Sequence, residues 1–330
     1  MIRGLCSAAL VLCFALPARA QDRSAYLHIV RPGETLAAIA QRYYGDPRRE
    51  SVLVAENGLT SQGGAAIVVG LRLAIPWVTY HVVQPGETWA AVATEHYGDP
   101  RRVSALVEAN PQVSSNQPDE GAELLIPYPL RHVARQGDTM RRVAQLYYDD
   151  QGEAQSLMRF NSLRRQRLSR GQIVLVPLAD LLLSDEGRQL IAEASGEQVT
   201  GGEVRDLQSR INDQLPALHQ HVRRARYTEA VALGNRLLGS GQLTSNQIVT
   251  IQRELAVAYV ALDRRDMAIE AFIAALDRQP DLLLDSRLTS PVVLAILEEA
   301  RGVRDERQAA AGADAGADGG AEDAGVAEPE

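Results

Sequence analysis

Residues 80–110 read YHVVQPGETWAAVATEHYGDPRRVSALVEAN, and variants of this stretch lie before and after it in the chain. Residues 26–57 read YLHIVRPGETLAAIAQRYYGDPRRESVLVAEN, and residues 131–161 read RHVARQGDTMRRVAQLYYDDQGEAQSLMRFN. The glycines at 33, 86 and 137 are 53 and then 51 residues apart. A fixed period of this size indicates tandem copies of one small structural unit.

Each copy predicts the order strand, helix, helix, strand. In the copy at 80–110, a short alternating strand runs into the Pro-Gly turn at 85–86. Thr88 suits the N-cap of a helix with apolar residues on one face, and Gly98 suits its C-terminal end. The Asp-Pro pair at 99–100 predicts the start of a second helix. A closing strand ends at the Ile-Pro pair at 126–127.

This order of motifs resembles the LysM domain in its Pro-Gly-Glu-Thr turn, the Ala and Tyr of its first helix, its Asn and its final Ile-Pro. The resemblance predicts three tandem domains: module 1 at 26–78, module 2 at 79–129 and module 3 at 130–179. It implies a βααβ fold, in which two helices pack on one side of a two-stranded antiparallel sheet. Members of the family bind glycans that contain N-acetylglucosamine, chiefly peptidoglycan and chitin, and do not cut them.

The resemblance also implies where the glycan binds. In LysM domains the sugar lies in a shallow groove between the turn after the first strand and the loop before the last strand. Carried onto this sequence, the glycan-binding residues are Gly33, Glu34, Thr35 and Asn57; Gly86, Glu87, Thr88 and Asn110; and Gly137, Asp138, Thr139 and Asn161. The alternative is that these residues only build the turn and cap the helices.

Two features depart from the family pattern. Long loops at 58–69 and 111–120 lie where the grooves of modules 1 and 2 should open, and Gln136 of module 3 stands where the other copies have Pro. A single groove can therefore be weak. Three weak sites on one chain still hold a polymer well, because linkage raises their effective concentration.

The first twenty residues predict a cleaved signal peptide. Arg3 precedes an apolar stretch at 5–16, and Ala-Arg-Ala at 18–20 forms a small-x-small cleavage site. A retained membrane helix is the alternative, but it needs about twenty apolar residues. We therefore expect export to the periplasm or cell envelope of a bacterium, with no membrane span after cleavage. Cys6 and Cys13 both lie in this segment, so the mature chain would contain no disulfide.

From residue 184 onward the sequence pattern is helical. Residues 184–307 form a predicted helical, tetratricopeptide (TPR)-like domain. Within it, residues 216–300 resemble a TPR repeat, a helical hairpin, at the positions Leu255, Ala256, Tyr259, Ala268, Phe272, Ala275 and Pro280. An unrelated small helical bundle is the alternative. Residues 308–330 are mostly Ala, Gly and acidic residues and predict a disordered acidic tail. The predicted fold class is α+β, with three βααβ modules followed by an all-α domain.

Few residues suggest chemistry. The pair His219 and His221 has the spacing of some zinc endopeptidases but no evident third ligand. The histidines at 28, 81 and 132 recur once per module, which indicates a shared structural role. One turn carboxylate per module cannot supply the acid and base of a glycosidase. We therefore expect no catalytic residue, no metal site and no cofactor.

These observations predict a non-enzymatic envelope protein. Its LysM repeats would bind peptidoglycan or a related N-acetylglucosamine glycan, and its TPR-like domain would recruit a protein partner. The net charge of −8 and the aromatic content of 5% give no basis for nucleic-acid binding. One alternative is a structural assembly protein whose modules contact protein and not sugar. Another is an enzyme, which would need a catalytic domain that the sequence does not reveal.

Overall fold

The computed structural model describes residues 26–59, 67–196 and 198–317. The predicted signal peptide lies outside the described residues. Each of the three copies folds as strand, helix, helix, strand. The elements are β1 (Tyr26–Ile29), α1 (Leu36–Tyr44), α2 (Glu50–Glu56) and β2 (Arg72–Ile75) in module 1; β3 (Thr79–Val82), α3 (Trp89–Tyr97), α4 (Val103–Ala109) and β4 (Glu123–Ile126) in module 2; and β5 (Tyr128–Val133), α5 (Met140–Tyr148), α6 (Ala154–Phe160) and β6 (Ile173–Leu178) in module 3.

Within each module the two strands pair in antiparallel fashion. Tyr26 faces Ile75 across the first sheet, Thr79 faces Ile126 across the second, and in the third Tyr128 faces Leu178. Apolar residues from both helices and from the last strand form each module's buried core. The α+β fold class predicted from the sequence is therefore confirmed.

The helix ends follow from local side-chain chemistry. In module 2, the Thr88 hydroxyl accepts a hydrogen bond from the Ala91 N–H, and helix α3 ends at Gly98 with a φ of +68°. The Asp99 side chain caps the next segment, as the sequence predicts, but Pro100–Arg102 is a 3₁₀ turn. The α-helix begins only at Val103. Modules 1 and 3 have the same 3₁₀ turn at Pro47–Arg49 and Gln151–Glu153.

The modules pack on one another through their second helices. Val52 of α2 is fully buried in the core of module 3. Phe160 of α6 is buried in the core of module 2, where its ring lies edge-on to Tyr97 with centroids 5.4 Å apart. The guanidinium of Arg102 covers the Phe160 ring at 5.5 Å. The three modules therefore share apolar contacts.

The rest of the described chain is helical and contains α7 (Asp185–Ser195), α8 (Glu203–Arg223), α9 (Tyr227–Leu238), α10 (Ser245–Ala261), α11 (Arg265–Leu276) and α12 (Pro291–Ala317). Helices α8 to α12 share one apolar core. The sequence places the start of the disordered tail at Gln308, whereas α12 continues to Ala317, because the alanine-rich segment has a high helix propensity. Residues 318–330 lie outside the described part. None of the described helices is both long and apolar enough to cross a membrane.

Helix α7 differs from its predicted place. The sequence groups residues 184–307 into one helical domain, but α7 packs on module 1, where Leu183 and Ile191 join the apolar core. The Ser184 N–H donates to the Tyr43 carbonyl oxygen at 2.8 Å, and Gly187 allows the close approach. A Cβ at Gly187 would lie 2.6 Å from that same oxygen.

Helix α8 docks on module 2 through a polar contact. Gln208 is only 5% exposed; its side chain accepts a hydrogen bond from the Glu123 N–H and donates to the carbonyl oxygen of Gly121. At the start of the helix, the glycines at 201–202 lie against the Tyr80 ring, where a side chain would collide with it. The C-terminal helices are thus held against the last strand of module 2 and the loop before it.

Candidate functional site

The turn after the first strand is held by a carboxylate and a histidine. In module 2, Glu87 Oε2 lies 2.7 Å from His81 Nε2 and accepts a hydrogen bond from the Gln84 N–H at 3.0 Å. Glu34 makes the same two contacts with His28 and the Arg31 N–H. The turn carboxylates predicted to bind glycan therefore stabilise the turn from inside.

Module 3 has the same arrangement in a looser form. Asp138 accepts a hydrogen bond from the Arg135 N–H at 2.6 Å, while its Oδ2 lies 3.6 Å from His132 Nε2. Asp is one methylene shorter than Glu, so its carboxylate reaches the histidine less closely.

Hydrogen bonds lower the pKa of the turn carboxylates in modules 1 and 2. Burial disfavours ionised Glu34, but hydrogen bonds from the Arg31 N–H, His28 and Arg42 outweigh burial and lower its pKa to about 2. In module 2, burial likewise opposes the hydrogen bonds from His81 and the Gln84 N–H, and the net effect lowers the pKa of Glu87. Both side chains are ionised at neutral pH.

The threonines and glycines of the turns remain on the surface. Thr35, Thr88 and Thr139 each accept a hydrogen bond from an N–H of the following helix, at 3.1, 3.2 and 3.3 Å. The glycines at 33, 86 and 137 are exposed and have φ values of +81°, +74° and +89°, a region that side chains disfavour. Their backbone groups are therefore open to a ligand, while the hydroxyls act as helix caps.

The asparagines are placed differently from the prediction. Asn110 is 0% exposed. Its side-chain amide donates to the carbonyl oxygens of Leu106 and Leu125 and accepts from the Leu125 N–H. Asn57 and Asn161 make the same three bonds in their modules. Each side chain ties the second helix to the last strand; Asn110 is buried, whereas Asn57 and Asn161 are half-buried.

A further residue pair lies behind each turn. The Nδ1 atoms of His28 and His132 lie 3.1 and 2.9 Å from the hydroxyls of Tyr43 and Tyr147. Module 2 has His96 at the matching position, and its ring lies edge-on to His81 with centroids 5.2 Å apart. Burial lowers the pKa of His96. His96 is missing from the residues predicted above, although aligning the three copies position by position shows that it replaces a tyrosine.

Module 2 has a cavity between the two walls of its predicted groove. The cavity has a volume of about 410 Å³ and is bounded by the turn at Gln84, Gly86 and Glu87. The opposite wall is the loop at 114–120, which the Trp89 indole N–H holds by donating to the Ser114 carbonyl oxygen at 2.9 Å. The third wall comes from the C-terminal helices and comprises Ser245, Asn246, Val249, Arg278 and Gln279. This third wall could not be predicted from the sequence, because it requires contacts between distant parts of the chain.

The other two grooves differ from this one. In module 3, the walls are hydrogen-bonded to each other: the Met140 N–H donates to the Gln166 carbonyl oxygen, and the Leu168 N–H donates to that of Asp138. Thr139 and Arg167 form an isolated β-bridge between the same segments. In module 1, most of the facing loop, 60–66, lies outside the described residues.

The histidines at 219 and 221 lie on helix α8. His219 Nδ1 lies 3.1 Å from Glu254 Oε1, and the same carboxylate oxygen accepts a hydrogen bond from Arg253. His219 is thereby tied to a side chain of α10, which is a bond between neighbouring helices of the bundle.

Two known proteins are similar to part of this chain. An esterase of Mycobacterium tuberculosis is 32% identical over 123 residues, which are 37% of this chain and 26% of the esterase. A putative sporulation-specific glycosylase of Bacillus subtilis is 34% identical over 109 residues, covering 33% of this chain and 24% of that protein. The chain thus spans about a quarter of the length of these relatives. No solved structure matches it significantly.

The family comparison identifies the modules themselves. The model described as LysM domain matches residues 28–76, 81–127 and 132–177. LysM domains are binding modules for peptidoglycan and related N-acetylglucosamine glycans and are typical of cell-envelope proteins. The three βααβ modules of this chain are therefore three LysM domains.

Proposed function

We propose that this protein is a non-catalytic component of the bacterial cell envelope that binds peptidoglycan through its LysM domains. We propose the cavity of module 2 as its principal glycan site. The observation that carries this assignment is the 410 Å³ space between the turn at Gly86 and the loop at 114–120, the two segments that form the groove in this family. That volume lies in the range of small-ligand pockets.

The lining of the cavity suits a sugar. Asn116 and Gln117 are exposed amides on one wall, and Arg278 and Gln279 lie on the wall from the C-terminal helices. Amide groups match the hydroxyl and acetamide groups of N-acetylglucosamine, since each can donate and accept hydrogen bonds. Arg278 lies 3.5 Å from Glu120 and remains about 45% exposed, so it can also meet the carboxylates of peptidoglycan.

The remaining modules contribute less in this proposal. The walls of module 3 are bonded to each other by two backbone hydrogen bonds and an isolated β-bridge. Its loop carries Arg164, Arg165, Arg167 and Arg170, which provide a long-range attraction for an acidic polymer. Module 2 would then supply recognition and module 3 electrostatic attraction.

We further propose that the C-terminal helices recruit a protein partner, as a TPR-like unit does. Ala256, Ala268 and Ala275 are fully buried between the helices, which supports the close helix packing expected of such a unit. The segment before α12 exposes two large apolar side chains, Leu283 and Leu288, at 80% and 87%. We propose these two side chains as the contact for that partner.

A second candidate is a structural assembly protein whose modules contact only protein. The direct bonding between the two walls of module 3 favours it, because a groove that its own loop fills leaves little room for sugar. Export by the predicted signal peptide is part of both proposals.

Binding to purified peptidoglycan sacculi tests the glycan proposal. The chain from residue 21 onward is mixed with insoluble sacculi, with chitin in parallel, and the bound fraction is measured by sedimentation. We expect retention that falls at least fivefold in the N116A/Q117A double variant and in R278A. The R236A variant is a matched control, since Arg236 is an exposed arginine of α9 away from the cavity. Retention of all variants equal to that of the parent would place glycan binding outside this cavity, whereas no retention of the folded parent would favour the assembly protein.

The partner proposal needs a separate measurement. The parent and the L283S/L288S variant are immobilised, and the envelope proteins that they retain are compared. We expect at least one protein to bind the parent and to be lost from the double variant. Identical binding profiles would contradict a partner site at this segment.

A further inference from the structure

Module 2 differs from its neighbours at two adjacent positions of the first helix. The last turn of α1 carries Arg42 and Tyr43, and the matching positions of α3 are Glu95 and His96. In module 1 the pair supports the turn: Arg42 bonds to Glu34 at 2.5 Å, and the tyrosine hydroxyl faces the strand histidine. Module 2 therefore has two histidines and an additional carboxylate where module 1 has one histidine, a tyrosine and an arginine.

These side chains converge at one place. One potential ligand atom from each of His81, Glu95 and His96 lies within 4.8 Å of the other two. It is the only group of three such side chains found among the described residues. Nε2 of His96 is buried and makes no hydrogen bond to any described residue. A buried polar atom without a partner is unusual and needs an explanation.

The other side of His81 is already fixed. Its Nε2 lies 2.7 Å from Glu87, just as Nε2 of His28 lies 2.8 Å from Glu34. In modules 1 and 3 the opposite nitrogen, Nδ1, faces the tyrosine hydroxyl. Because the ionised Glu87 carboxylate can only accept a hydrogen bond, Nε2 of His81 carries the proton, and Nδ1 keeps its lone pair on the side where His96 replaces that tyrosine.

We propose that His81, Glu95 and His96 bind a divalent transition-metal ion of the zinc class, with Glu87 as the carboxylate that orients His81. Two imidazoles and one carboxylate are a common ligand set for Zn²⁺, and water completes the tetrahedron. Bonds to zinc of about 2.0–2.2 Å require ligand atoms somewhat closer together than 4.8 Å. The Glu95 side chain is exposed, so it can rotate toward the two imidazoles when a metal ion binds.

A carboxylate that holds the outer nitrogen of a metal-binding histidine is a recurrent feature of protein zinc sites. Glu87 has that relation to His81. The site therefore contains three metal ligands and a carboxylate that orients one of them. Its residues lie on strand β3, the turn after it and helix α3. The metal proposal can be tested independently of the glycan proposal, because metal affinity can be measured without any sugar.

Zinc titration of the full mature chain, prepared without a histidine tag, tests the proposal. Competition with a chromogenic chelator and calorimetry should give one Zn²⁺ per chain. The H96Y variant installs the residue of modules 1 and 3 and should fold, but we expect its zinc affinity to fall at least tenfold. E87Q should weaken zinc binding about 10–100-fold, because it removes the orienting carboxylate.

Two further measurements make the result specific. The H219A/H221A variant keeps the proposed ligands and should bind zinc like the parent. In nitrogen-15 spectra of the parent, zinc should shift the ring signals of His81 and His96 but not those of His28 and His132. Zinc affinity of H96Y equal to that of the parent, or the absence of any zinc-dependent change in the parent, would overturn the proposal.

Discussion

The carboxylate of Glu123 in strand β4 accepts a hydrogen bond from the backbone N–H of Arg205, at 2.9 Å, across 82 residues of chain. The same oxygen accepts from the Gly202 N–H, also at 2.9 Å. No side chain of α8 caps its first turn. Glu123 therefore caps helix α8 from module 2. Its negative charge also interacts favourably with the positive end of the helix dipole.

Replacing Glu123 with alanine should destabilise the chain by about 2 kcal/mol, since two helix N–H groups lose their acceptor in a largely buried site. Urea unfolding at neutral pH measures the change. E203Q is the control, because Glu203 lies in the same helix turn but is exposed. It should cost only a few tenths of a kcal/mol, roughly the dipole term alone. Equal effects of both variants would mean that the cap contributes little beyond charge.

Replacing Asn110 with alanine should destabilise module 2 by about 2–3 kcal/mol, because the carbonyl oxygens of Leu106 and Leu125 and the Leu125 N–H lose their partners. Chemical denaturation gives the free energy of unfolding, and the exposed Asn116 serves as a neutral control with N116A. Unchanged stability of N110A together with lost glycan retention would instead support the glycan-binding role predicted from the sequence.

Acid should weaken module 1 through Glu34. Its pKa falls from an ordinary 4.5 in the unfolded chain to about 2 in the fold. The ionised carboxylate therefore contributes stability above pH 4.5, and that contribution is lost as the pH falls toward 2. The E34Q variant should be less stable than the parent at pH 7, and the difference should shrink by pH 2.5. Thermal unfolding across this range measures it, and a constant difference would show that charge is not the cause.

Adding one methyl group at Gly187 should loosen helix α7 from module 1, because the new Cβ would lie 2.6 Å from the Tyr43 carbonyl oxygen. We expect G187A to cost about 1–3 kcal/mol, as overpacking usually does. Gly302 of helix α12 has open space around the same position, so G302A should be neutral or slightly stabilising. Differential scanning calorimetry of the two variants makes the comparison, and similar melting temperatures would contradict the contact.

The sequence predicts local features well. Thr88 as a cap and Gly98 as a helix end depend on residues within a few positions, and the structure confirms both. Repetition strengthened the prediction, because three copies show which positions are kept. The 3₁₀ turn at Pro100–Arg102 was missed, since an Asp-Pro pair suits the start of either helix type.

Long-range contacts could not be predicted in this way. Gln208 reads as one polar residue on an amphipathic helix, yet it is buried and donates a hydrogen bond to the Gly121 carbonyl oxygen of module 2. An asparagine recurs at the position of Asn110 in each copy, which is compatible both with sugar binding and with bracing, and the burial of Asn110 favours bracing. His96 is unremarkable in a helix until the fold places it beside His81.

The contact between Ser184 and Arg42 bears on the order of folding. The Ser184 hydroxyl donates to the Arg42 carbonyl oxygen across 142 residues. Module 1 is synthesised before modules 2 and 3. The residues of α7 that cover one side of module 1 are synthesised only after both of those modules. Contacts so distant in sequence slow folding. In a nascent chain that ends before α7, the apolar surface of module 1 that α7 would cover is therefore exposed. Chaperones and proteases would bind an incomplete chain at this surface first.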